Sequence, residues 1–112
     1  MHTQQLNHFI QAPSHLIGRM KPTHYIILLQ LLKSDQVRKG KKKDKLILSL
    51  SRIENFTHLS HSTVLDGIRV LKDNDIIKVN KETRLGNEYL IDYDVLNELE
   101  RKALEDETFY LN

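Results

Sequence analysis

A mainly helical α+β domain is the fold class this sequence predicts, and three features predict it. Residues 49–77 read as two short amphipathic helices joined by a tight turn. Two alternating stretches follow, at 76–80 and 87–91, with Gly86 between them, as in a β-hairpin. Before both, residues 23–33 are apolar on nearly every side, as expected of a helix central to a core.

Composition sets the outer limits. The chain has 112 residues, the size of one domain with one core. We expect a single domain over 1–112, with the core in 9–91 and a C-terminal helix and tail in 92–112. With 39% apolar and 29% charged residues, wholesale disorder is excluded. There is no cysteine, so disulfides and thiolate zinc sites are excluded and a cytoplasmic location is expected. Residues 1–20 carry no signal-peptide pattern. The apolar run at 25–32 is far too short to span a bilayer, so no membrane partner is expected. The net charge is +2, but residues 94–112 hold six acids and two bases. That segment carries −4 and residues 1–93 carry +6. A basic body suits a polyanionic partner.

The elements follow in order. Pro13 and Ser14 open one short turn over 15–19. Pro22 sits at the first position of a helix running to about Lys33. Tyr25, Leu28, Leu29 and Leu32 form its stripe, widened by Ile27 and Leu31. Residues 34–45 read as a loop, and Leu46–Leu48 as a short strand. Ser51 and Glu54 have capping-box spacing for a short helix over 52–57. His58 and Leu59 make the turn. Ser60 caps the next helix, His61 to about Asp73, whose inward face is Val64, Leu65, Ile68 and Leu71. Asn74 and Asp75 turn into the hairpin, with 81–86 as its tip. Asp92 or Asp94 caps a last helix to about Asp106. This order predicts a winged helix-turn-helix with a C-terminal helix.

A helix-turn-helix reads DNA through short polar residues near the start of its second helix. Here those are Ser60, His61, Ser62 and Thr63, with Asp66 and Arg69 farther along. Asp66 is the awkward member: a carboxylate accepts from cytosine N4 but repels phosphate. Lys39, Lys41, Lys42, Lys43 and Lys45, with Arg38, place six bases within eight residues. Such a run is ordinarily a solvated loop, but beside a helix-turn-helix it reads as a phosphate grip. Lys81 and Arg84 at the hairpin tip, with Asn87, are candidates to follow phosphates or enter a minor groove. The six histidines lack the ligand spacing of a zinc site. No metal or cofactor is expected. The chain has no Gly-rich phosphate loop, nucleophile elbow or His-Glu-x-x-His, so no enzyme is expected.

With those residues in view, the chain resembles winged-helix proteins of bacterial plasmids and phages. Phe9-Ile10-Gln11-Ala12-Pro13, Lys21-Pro22-Thr23 and the long apolar helix look like the opening of phage replication-organiser DNA-binding domains. Leu59-Ser60-His61-Ser62-Thr63-Val64, with Ile68, Leu71 and Ile76-Ile77, is similar to the recognition segment of winged-helix regulators. The resemblance covers about residues 9–91. It implies the fold more than the pathway, and Asp66 departs from it. Because the chain ends soon after the wing, a stand-alone repressor or a plasmid-partition adaptor is expected.

The sequence therefore predicts a sequence-specific double-stranded DNA binder of a mobile element. Its output would be transcriptional regulation, replication or partition. A homodimer is expected, packed through Leu96, Leu99, Ala103 and Leu104 or through the first helix. A protein of a replication or partition machinery is a further expected partner. The rival is a protein-interaction module that docks a basic partner on its acidic C-terminal helix.

Overall fold

The structure is a computed structural model that describes residues 12–112. His2, His8 and the Phe9-Ile10-Gln11 part of the resemblance lie outside these residues. The described chain is α+β and mainly helical, with four α-helices and a three-stranded antiparallel sheet. The element order is compatible with winged helix-turn-helix topology.

A 3₁₀ turn, Ser14–Leu16, comes first and buries Leu16. Its start is set by Pro13, with no side-chain cap from Ser14. Helix α1 spans Pro22–Gly40 and has proline in its first turn. It runs seven residues past the end expected from sequence, so Ser34 to Gly40 is helix and not loop. The cause is Asp35, buried on α1 and bonded by Arg38 Nε at 2.8 Å and by the Tyr93 hydroxyl at 2.6 Å. Arg38 and Lys39 in the last turn also complement the helix dipole. Arg38 then ties the chain down beyond the helix by donating to the Lys43 and Asp44 carbonyls.

Strand β1, Leu46–Leu48, leads straight into helix α2, Leu50–Thr57. The cap of α2 is Ser49, whose Oγ accepts from Arg52 N at 3.1 Å. The expected Ser51 capping box is corrected. Ser49 is still extended after β1, and its carbonyl already accepts from Ile53 N. Helix α3 spans His61–Asp73 with Ser60 as cap, as the sequence predicts. Val64, Ile68 and Leu71 are buried, but Leu65 is 44% exposed. Gly67 and Val70 are buried in its place. Gly67 lets α3 approach α1 closely, since a Cβ there would overlap Ile27 Cδ1.

Strands β2, Ile77–Thr83, and β3, Gly86–Ile91, form the hairpin. Its tip is Arg84-Leu85, because β2 continues past Asn80 through an irregularity between Lys81 and Thr83. The sheet order is β1-β3-β2. Helix α4, Tyr93–Glu105, is capped by Asp92, which accepts from the Asp94 and Val95 amides. After it, Leu111 is buried and its N–H donates to the Arg19 carbonyl at 2.7 Å. Arg19 in turn donates to the Asp106 carbonyl at 2.8 Å.

One apolar cluster joins α1, α3, the sheet and α4. Leu28, Leu31, Ile53, Leu71 and Ile76 lie at its centre, fully buried. Each such side chain contributes roughly 1.5–3 kcal/mol of burial. Leu96, Leu99 and Ala103 belong to this cluster. The dimer surface expected on α4 is therefore corrected: three of its four residues are already covered by their own chain. Only Leu104 is open, at 66% exposure. No helix among the described residues is long and apolar enough to cross a membrane.

Candidate nucleic-acid interface

The α2–turn–α3 unit is held by short-range devices that the sequence encodes. His58 ends α2 in the left-handed region (φ 58°), and its N–H donates to the Glu54 carbonyl at 2.7 Å. A left-handed residue after a helix reverses the chain sharply. Ser60 Oγ then accepts from Thr63 N at 3.3 Å and bonds Thr63 Oγ1 at 2.8 Å. Glu54 accepts from His61 Nδ1 at 2.7 Å, which fastens α2 to the start of α3. Ser60, Thr63 and His61 therefore have structural bonds before any ligand arrives. Ser62 is exposed with a long 3.4 Å contact to Ser60.

Asp66 has two oxygens and two partners. Oδ2 accepts from His24 Nε2 at 2.8 Å, and Oδ1 accepts from Arg69 at 2.9 Å. Those hydrogen bonds, Arg69's first, hold the carboxyl below the usual carboxylate range. His24 is only 3% exposed, on α1. Asp66 thus clamps α3 to α1, and each of its oxygens has a hydrogen-bond partner. Arg69 is also bonded to Asp73 at 3.0 Å. The solvent face of α3 then shows His61, Ser62, Leu65 and Arg69, spaced by about one turn. Leu65 is the member that sequence reading assigned to the core. A branched residue there fits both patterns, so nothing local separated them.

The hairpin stands beside the start of α2. Leu48 pairs with Asn87 across the sheet. Gly86 (φ 140°) lies so close that a Cβ would overlap the Leu48 carbonyl and the Ser49 nitrogen. Ser49, Ser51, Glu54, His61 and Asn87 line one cleft at this end of the molecule. Lys81 and Arg84 are exposed along the hairpin that rises from it.

The lysine run lies at the other end of β1. Leu46 pairs with Tyr89, so β1 begins at the end of β3 away from the hairpin tip. Lys45 is separated from Ser49 by the whole strand, about 13 Å at extended spacing. Lys41, Lys42, Lys43 and Lys45 are exposed there, and none has an ion-pair partner among the described residues. The register therefore places the lysine loop and the hairpin tip at opposite ends of β1. Lys39 is not a free cation. It lies 3.4 Å from Asp35 Oδ2 and 4.5 Å from the Tyr93 ring centre. Burial pushes Asp35 up, but the bonds from Tyr93 and Arg38 outweigh it and leave the carboxyl below its ordinary range. Burial and the Asp35 bond push the Tyr93 phenol well up.

No group of three or more histidines or carboxylates that could hold a metal occurs among the described residues. In comparisons with protein-family models, curated proteins and solved structures, no match to this chain was found.

Proposed function

We propose that this chain is a winged helix-turn-helix protein that binds double-stranded DNA with sequence preference. The observation that carries the reading is the braced α2–turn–α3 unit set directly beside the β2–β3 hairpin. The fastening is specific: His61 to Glu54, Asp66 to His24, and Gly86 against Leu48. In this reading α3 enters the major groove and the hairpin lies along the backbone. Ser62 donates to phosphate or a base edge, and exposed Leu65 meets a thymine methyl. Lys81 and Arg84 hold phosphates. Regulation, replication or partition of a mobile element is the output suggested by the resemblance of 9–91.

A homodimer belongs to this reading, since two α3 helices on one duplex read a longer site. The α4 surface is mostly spent, so the exposed apolar group of Ile17, Ile26 and Tyr110 beside Pro22 and Tyr25 is its proposed contact. Docking of a basic partner on α4 has less support. Glu98 and Glu105 are both paired with Arg101.

Selection from a random duplex library tests the proposal. A recovered consensus, bound by the wild type and lost in Ser62→Glu, is expected. A library that returns no consensus at low salt contradicts it.

A further inference from the structure

Helix α1, strand β1 and helix α2 enclose a groove of about 330 Å³. Lys33 and Arg38 line it from α1, Lys41, Lys43 and Lys45 from the loop after it, and Arg52 from α2. No carboxylate lines it. Its apolar surface includes Val37 and Phe56, both about half exposed. Arg52 stands over the Phe56 ring, 5.4 Å from its centre. Large apolar side chains left open in a wholly cationic setting are not explained by the core, nor by the α3 and hairpin face.

We propose that this groove is a second nucleic-acid site, one that takes a single strand. An array of cations, of which only Arg38 is ion-paired among the described residues, suits successive phosphates, and a half-exposed aromatic ring offers a stacking surface to any base. The groove is bounded by two helices and a strand, and its volume is that of a small ligand, of the order of one nucleotide rather than a duplex. The site goes beyond the duplex reading and does not depend on it.

An acidic segment is the competing occupant, and the nearest at hand is α4 of a second copy. Three of its four carboxylates, all but Asp94, are engaged, however. Glu98 and Glu105 pair with Arg101. Glu100 accepts from His15 N, and just past the helix Asp106 accepts from Thr108. A carboxylate helix also gives Phe56 nothing to stack on. The observations therefore favour a nucleic-acid strand.

The test uses the full chain and a labelled oligothymidine of about 12 nucleotides, read by fluorescence anisotropy. Phe56→Ala is expected to weaken binding about 10-fold. The double variant Lys41→Gln, Lys43→Gln is expected to lower the slope of log affinity against log salt by roughly 1.4. Both are surface changes, and circular dichroism checks that each is folded. Phe56→Ala should not move binding of a duplex by more than about 2-fold, whereas Ser62→Glu should weaken the duplex and spare the oligothymidine. The inference is overturned if the wild type does not bind oligothymidine, or if Phe56→Ala binds it unchanged. It is equally overturned if polyglutamate competes as well as the oligonucleotide does, which would make the groove an acidic-peptide site. Duplex binding without oligothymidine binding sinks this inference alone, and the reverse result sinks the duplex reading alone.

Discussion

At the scale of single residues, two carboxylates organise charged groups that otherwise look like ligands. Asp35 is buried and joins α1 to Tyr93 at the head of α4. Replacing it by alanine strands the Tyr93 hydroxyl and loosens Arg38, which should cost about 2–3 kcal/mol in urea unfolding. Its folded pKa is depressed, so its contribution is present above the unfolded value of about 4 and is lost as the pH falls below that. Asp35→Asn should therefore flatten the acid side of the stability curve, and an unchanged acid limb would speak against the network. Asp66 follows the same sign. Asp66→Asn keeps an acceptor for His24 and should remain folded, whereas Asp66→Ala leaves a buried nitrogen unpaired and should be the less stable of the two. Equal stabilities would mean that the bond to His24 does not clamp α3 to α1.

At the scale of elements, what was legible is what local chemistry decides. Helix α3 was readable because Ser60 caps it and the turn at Asn74 ends it. Asp92 announced α4 in the same way. The end of α1 was hidden, because its last two turns depend on Tyr93, 58 residues away in sequence. The true cap of α2 was hidden because both Ser49 and Ser51 suit a cap, and only the run of β1 decides between them. Leu65 and Leu104 look like core on a helical wheel and are open in the structure. The hairpin was legible as a hairpin, but its seating against α2 was not. That seating rests on Gly86. Gly86→Ala meets both an unfavourable φ and the Leu48 backbone, so a loss of about 2–4 kcal/mol is expected in thermal or urea unfolding. A loss below about 0.5 kcal/mol would mean that the hairpin is free of α2.

At the scale of the molecule, charge is divided between two ends. The lysines at 41–45 border the α1–β1–α2 groove, whereas Lys81 and Arg84 ride the hairpin beyond the start of α3. The composition showed a basic body but not this division, which only the pairing of β1 with β3 fixes. The same packing moved the proposed dimer contact from α4 to the Ile17, Ile26 and Tyr110 patch. The double variant Ile17→Glu, Tyr110→Glu should shift sedimentation from dimer to monomer, and a dimer that survives it lies elsewhere. The central claim is that α3 and the hairpin together face duplex DNA. Backbone amide NMR shifts during titration with a selected duplex test it most directly. The account predicts that the largest changes fall on residues 61–65 and 81–87, with α4 unmoved; shifts confined to α4, or none at low salt, would contradict it.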